Sequence, residues 1–367
     1  MSLVRKALFK LQPECAHDAA IFALSHAPKL CFKDYQAPKI LSCSHFNRLL
    51  SSPFGLAAGY DKNAQALGSL DKLGFGFLEF GSFTLRPQEG NEKPRLWRFI
   101  EDESLQNAMG FNNQGAKVVL ENVANSPRLL VLGANLGINK DSVSKKEDYL
   151  ELIKMFHDYC NYFVINVSSP NTKALRDLQN EDFLNSLLAS ARKLSQKDIL
   201  IKLASDMGAE AAINLCKNVA ANGFILANTS NDYGLLKNAQ SKGGISGKAI
   251  WRKNSEFFKA VAKEIYPSGK LLIYSGGLDN AKDAYELIRH GASLLQVLTA
   301  LIYKGPNLIK ELNTELALLL ERDGYSHVKD AVGADFRSAT AASTASTAST
   351  ASTASTQDKP SKKGKKR

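Results

Sequence analysis

Metal-ligand spacing, cysteine pairs and long apolar runs are all missing from this 367-residue chain. Its six histidines form no H-E-x-x-H pattern or other ligand spacing, which argues against a zinc hydrolase. His157 and His290 fall in helical patterns and read as ordinary surface or core residues. The five cysteines (Cys15, Cys31, Cys43, Cys160, Cys216) are odd in number and never stand as C-x-x-C. That argues for a reducing compartment and against a disulfide framework or a zinc site. No apolar stretch reaches the ~18 residues of a membrane span, and no signal peptide is visible. No G-x-G-x-x-G follows an apolar run, and GGISGK at 243–248 misses the P-loop spacing. Acidic residues are the scarcer charge, 36 against 47 Lys plus Arg, for a net +11. The last eleven residues, QDKPSKKGKKR, hold five Lys and one Arg against one Asp. The rest of the chain is therefore only mildly basic, and no nucleic-acid partner is expected.

What is present is the material of one large α/β domain, 44% hydrophobic and 23% charged. Between 54 and 302, short β-like runs alternate with helical stretches: 54–59, 76–81, 129–135, 163–168, 199–204, 223–229, 271–276 and 293–299. Helical segments at 146–160, 181–194, 208–221, 250–265 and 280–289 separate most of them. Eight such units in about 250 residues match a (β/α)8 TIM barrel better than a doubly wound sheet. The connection 82–128 is too long for a plain βα loop and is expected to be functional. Three units follow: an amphipathic helical extension at 1–30, a barrel at 31–336, and an Ala/Ser/Thr-repeat and basic tail at 337–367 expected to be disordered. Composition alone reads 1–30 as a cap on the domain, with a site on an anionic membrane surface as the alternative.

The chemistry sits at the carboxyl ends of the runs, where barrels hold their ligands. In FVINVSSPNT, 163–172, an apolar strand stops at Asn166 and gives way to Ser168, Ser169, Asn171 and Thr172 around Pro170. The other ends supply Ala58-Gly59-Tyr60-Asp61-Lys62, Gly81-Ser82, Asn135, Lys202, Asn228-Thr229, Gly276-Gly277 and Leu298-Thr299. Each has a bland explanation alone: Lys202 as a snorkelling lysine, Asn135 as a turn former, the glycine pair as a tight turn. Eight polar or glycine ends from eight runs are harder to set aside. Glycines after the seventh run and Leu298-Thr299 after the eighth suit a phosphate cup of backbone N–H groups. Amides, hydroxyls and two lysines, without a hydrolytic triad, carboxylate pair or metal set, point to a redox cofactor. Flavin mononucleotide (FMN), with one phosphate and an isoalloxazine ring, fits that set.

Six longer motifs carry a resemblance: FGLAAGYDKN, GSFTLRPQEGNEKPRLWR, NAMGFNNQG, INVSSPNT, GGISGKA and YKGP. With the opening VRKALFKLQPECAH they make the chain resemble, over about 1–336, the class 2 dihydroorotate dehydrogenases, the membrane-associated, quinone-using class. The resemblance implies that Ser169 is the catalytic base, where the cytosolic class carries Cys. It implies FMN contacts at Ala58, Gly59, Tyr60, Asp61, Lys62, Ser82, Asn135, Asn166, Lys202, Ala227, Gly247, Gly277, Leu298 and Thr299. Dihydroorotate contacts fall on Lys62, Asn107, Ala108, Met109, Gly110, Phe111, Asn166, Asn171, Asn228 and Thr229. His17 and Arg98 are the candidate quinone contacts, and no metal is implied. The implied partners are dihydroorotate, a membrane quinone and, through residues 1–30, an anionic membrane surface. The implied place is the cytoplasmic face of a bacterial inner membrane. Oligomeric state stays open, a monomer being the simplest case. Ala227, Leu298 and Tyr60 depart from the Thr, Tyr and Leu common in related chains, and Leu298 leaves quinone preference open. The loop from Ser168 to about Gln179 is expected to act as a lid. The rival readings are another FMN barrel acting on a different dihydropyrimidine or an α-hydroxy acid, and a non-enzymatic membrane or RNA adaptor.

Overall fold

The computed structural model of the chain describes residues 3–27, 35–127, 131–168 and 179–337. Two helices lead, α1 (Leu3–Leu8) and α2 (Pro13–His26), followed by a hairpin of β1 (Cys43–His45) and β2 (Arg48–Leu50). Pro13 sits in the first turn of α2, where its missing N–H leaves no helical bond unmade. Then come β3 (Phe54–Leu56), α3 (Leu67–Asp71), β4 (Phe77–Phe83), β5 (Leu96–Phe99), β6 (Ser104–Asn107), α4 (Ala116–Ala124) and β7 (Leu132–Leu136). The middle of the chain gives α5 (Lys145–Phe156), β8 (Tyr162–Asn166), α6 (Glu181–Ala191), β9 (Asp198–Leu203), α7 (Ala209–Asn218) and β10 (Gly223–Leu226). It finishes with β11 (Gly244–Gly247), α8 (Trp251–Ile265), β12 (Leu271–Ser275), α9 (Ala281–Arg289), β13 (Leu294–Val297), α10 (Thr299–Lys304), α11 (Leu308–Arg322) and α12 (Val328–Ala331).

Strands β3, β4, β7, β8, β9, β10, β12 and β13 pair in parallel and close into a barrel, β13 returning to β3. These are the eight runs read from the sequence. Almost every residue on them is buried, which is why they read as continuous apolar stretches rather than alternating ones. Their ends differ from the sequence reading where backbone geometry intervenes. The run expected to reach 229 leaves the sheet at Leu226, because Ala227 turns into the left-handed region (φ 70°). The surrounding helices bury one face each: in α9, Ala281, Ala284, Tyr285 and Ile288 face inward at helical spacing. Asn180 and Asn280 start α6 and α9 by accepting the N–H of Phe183 and Asp283.

The lower end of the barrel is filled by rings. A Cβ on Gly55 would lie 2.2 Å from the Phe77 ring, and one on Gly133 would lie 2.1 Å from the Tyr162 ring, so glycine makes the room these aromatics occupy. Phe46, at the tip of the β1–β2 hairpin, stacks on Tyr162 at 4.0 Å and plugs that end.

The 82–128 connection carries β5 and β6, which join β11 in a three-stranded antiparallel sheet. Sequence reading did not anticipate this sheet: β11 is a short glycine-rich segment whose partner lies more than a hundred residues away. Helix α2 packs on α3 and β5, and the Ser69 hydroxyl donates to the Leu24 carbonyl at 2.7 Å. Arg337, one residue past the expected tail boundary, donates to the Val332 carbonyl at 2.6 Å and the Tyr266 hydroxyl at 2.9 Å. The expected disordered segment, apart from Arg337, lies outside the described residues. Among those described, no helix is long and apolar enough to cross a membrane.

Candidate active site

At the carboxyl ends of the barrel strands opens a cavity of about 210 Å³. Most of the residues singled out in the sequence line it. From the first two strand ends come Ala58, Gly59, Tyr60, Lys62 and Ser82; from β8 and β9 come Asn166 and Lys202. Asn228, Thr229, Gly247, Gly277, Leu298 and Thr299 complete the far wall, while Asn107, Met109, Gly110 and Phe111 enter from the long insertion. His17 arrives from α2.

Five of the expected residues are placed differently. Asp61 is buried behind the wall, its carboxylate receiving the N–H groups of Gln65 (2.9 Å) and Ala66 (2.8 Å), so it shapes the turn before α3. Asn135 stands behind Ser82, which donates to its carbonyl oxygen. Ala227 is fully buried, and Ala108 is buried with its backbone paired to Arg95 and Asn91. Arg98 holds the end of the first helix: its guanidinium donates to the Leu8 and Leu11 carbonyls and lies 4.9 Å over the Phe9 ring. That engagement explains why it does not line the cavity. Ser169 and Asn171 lie outside the described residues, as does most of the expected lid.

Sequence reading missed several residues. Gln296 and Ser275, on strands, and Leu96, Ser246, Ile302 and Tyr303 also line the cavity. Glu79, on β4, is 1% exposed beneath it. Glu79 and Gln296 each interrupt an apolar run, and a polar residue inside a buried strand is the signal that could have marked both.

Gly247 and Gly277 pack closely against neighbouring chain on the cavity wall. A Cβ on Gly277 would meet the Gly247 carbonyl at 2.9 Å, and one on Gly247 would meet the Thr299 methyl at 2.8 Å. Both glycines have positive φ (87° and 96°), so side chains are excluded on conformational as well as spatial grounds. The Gln296 side-chain oxygen is buried on the cavity wall with no hydrogen-bond partner among the described residues. Bare glycine backbone at Gly247 and Gly277 and the buried Asn166 and Lys202 side chains on one cavity wall fit a phosphorylated heteroaromatic group such as FMN.

Burial lowers the pKa of Lys62, with Glu14, Asp18 and Asp61 holding the charge up and Arg95 opposing it. Burial likewise lowers that of Lys202, against the support of Glu79. Burial and the nearby Lys62 push the His17 imidazole down to about 3, with Glu14 opposing. A neutral His17 edge-on to Tyr60, with ring centroids 5.6 Å apart, therefore forms the wall on the α2 side. That helix is fixed over the insertion by an ion pair. Arg95 reaches Glu14 at 2.6 Å and also donates to the carbonyls of Glu89 (2.5 Å) and Asn91 (2.8 Å). Asn91 in turn holds the Met109 carbonyl at 3.0 Å, so α2 and the 107–111 loop share one anchor.

Comparison with known proteins gives a consistent set. The family model described as dihydroorotate dehydrogenase matches residues 40–320. The dihydroorotate dehydrogenase (quinone) of Nitratiruptor sp. is 44% identical over 91% of this chain and 99% of that protein. The one from Sulfurovum sp. is 46% identical over 91% and 98%. Among solved structures, DHODH from Eimeria tenella in complex with ferulenol is similar with a TM-score of 0.81. It is 32% identical, over 89% of this chain and 96% of that one.

Proposed function

The chain belongs to the dihydroorotate dehydrogenase family, in its quinone-using class 2, and from that premise we propose how its own residues divide the work. The reaction is the oxidation of dihydroorotate to orotate, with FMN as cofactor and a quinone as electron acceptor. The adaptor and α-hydroxy-acid readings fall with the family. The observation that carries the assignment of roles is the convergence of seven strand ends, the 107–111 loop and His17 on one cavity.

In this reading the Gly247, Gly277 and Thr299 loops hold the FMN phosphate, and Ala58, Gly59, Ser82, Asn166, Lys202 and Gln296 surround its ring. Bound there, FMN supplies the two-electron acceptor for the hydride leaving substrate C6 and hands those electrons to quinone. Ser169 takes the proton from C5, a role assigned from its residue type in the INVSSPNT motif. A serine needs a dry site and a proton outlet for that task. Lys62 binds the substrate carboxylate as a point charge. Asn107, Asn171, Asn228 and Thr229 bind the ring amides, and the loop from Ser168 to about Gln179 shields them. His17, Tyr60, Leu96, Ile302 and Tyr303 form the quinone side. Residues 1–30 rest on an anionic membrane surface, at the cytoplasmic face of a bacterial inner membrane, with Leu11 and Phe22 exposed to contact it.

The test is direct. Purified protein is expected to be yellow, and anaerobic dihydroorotate to bleach it. A yellow protein that dihydroorotate leaves unbleached would overturn the assignment of the substrate residues.

A further inference from the structure

Beneath the cavity, one buried carboxylate collects hydrogen-bond donors from three strands and an ion-pair partner from a fourth. Glu79 accepts from Asn135 Nδ2 (2.7 Å) at Oε1, and from Gln296 Nε2 (2.6 Å) and the Tyr162 hydroxyl (3.4 Å) at Oε2. Lys202 Nζ stands 3.9 Å from Oε1. A carboxylate only accepts, so each amide beside it must turn its NH2 inward and its oxygen outward. The consequence travels. Asn135 Oδ1, thus fixed as an acceptor, receives the Ser82 hydroxyl and Asn166 Nδ2 (3.3 Å). Asn166 Nδ2 also donates to Ser82 Oγ (2.9 Å), leaving Asn166 Oδ1 to receive the Ser168 hydroxyl (3.0 Å). Ser168 Oγ is then the acceptor for Asn228 Nδ2 (2.7 Å). From Asn228 to Glu79 every donor points the same way. On the other branch, Gln296, which lines the cavity, is left with its oxygen unpaired among the described residues.

We propose that Glu79 is a positioning residue whose carboxylate sets the donor–acceptor polarity of this network, and so decides which hydrogen-bonding atoms the cavity presents to FMN. The proposal rests on the reading that FMN occupies the cavity. A neutral amide at position 79 puts an NH2 where one carboxylate oxygen stood, so in place it meets either the Asn135 or the Gln296 NH2 donor to donor. Turning Asn135 over would face its NH2 against the donors of Ser82 and Asn166. Turning Gln296 over is the easier relief, and it exchanges acceptor for donor on a residue that lines the cavity.

The experiment compares FMN binding by apo-protein, followed by quenching of free-flavin fluorescence, for the parent, Glu79→Gln, Glu79→Asp and Gln296→Met. Folding of each is checked by circular dichroism. Glu79→Gln, which keeps shape and loses polarity, is expected to weaken FMN by about tenfold or more and to shift the visible band of bound flavin. Glu79→Asp, shorter but still acceptor-only, is expected to retain more affinity than the isostere. A packing role would reverse that order. Gln296→Met is expected to lose affinity comparably, and it carries the test if Glu79→Gln does not fold. FMN affinity within about twofold of the parent in Glu79→Gln, or in Gln296→Met, overturns the role of Glu79 alone. A parent chain that takes up no FMN overturns the reading beneath it, and the role with it.

Discussion

Two side chains bear most of the argument at the scale of single residues. Ser169 is assigned as base by its place in INVSSPNT, so Ser169→Ala is expected to keep bound flavin and to lose most of its reduction by dihydroorotate. Stopped-flow bleaching measures this, and near-parent rates would remove Ser169 from the role. His17 makes a different prediction. Its imidazole is held down to about 3 from an ordinary 6.5, first by burial and then by Lys62. Between those values the unfolded chain binds a proton that the folded chain refuses, so stability falls as pH drops through that window. His17→Phe is therefore expected to flatten thermal unfolding temperature against pH between about pH 6 and 4. An unchanged slope would place the acid sensitivity elsewhere.

The elements α1 and α2 form a layer laid over the barrel rather than part of it. Deleting residues 1–30 is expected to spare flavin reduction by dihydroorotate and to abolish reoxidation by quinone, read as two half-reactions. Unchanged quinone kinetics would show that this layer has no part in that half. The deletion also strips Arg95, itself 6% exposed, of its carboxylate partner, so lower stability should accompany the kinetic change. The layer also shows how legibility depends on range. The eight barrel strands could be read because each announces itself locally, as an apolar run closed by a polar or glycine end. The same rule found Ser82, Asn166, Lys202 and Asn228. It could not find the sheet of β5, β6 and β11, or the Glu14–Arg95 pair, because these join segments far apart in sequence and each partner alone looks ordinary. Arg98 stands apart from the cavity lining for a related reason: its type suits a cavity wall, but the Leu8 and Leu11 carbonyls engage its guanidinium. Glu79 was overlooked because a lone acid in an apolar run shows its meaning only once four strands surround it.

Along the whole chain, the densest run of positive charge stands apart in sequence from the residues that line the cavity. The cavity draws on the barrel and α2, whereas the densest positive run is QDKPSKKGKKR at the C-terminal end. Removing residues 338–367 is expected to leave dihydroorotate kinetics unchanged while weakening adsorption to anionic vesicles at low salt. Equal adsorption by the shortened chain would assign all of it to the body. The barrel itself is a vessel stoppered below, since Phe46 on Tyr162 shuts its base. Traffic of a bulky prosthetic group is thus confined to the rim, where α2 contributes His17 and is held by a clasp, Glu14 on Arg95. Loading is then an event of assembly, easiest before the clasp fastens. Apo-protein refolded without FMN should fill slowly, and Glu14→Ala should fill faster with little change in the final extent.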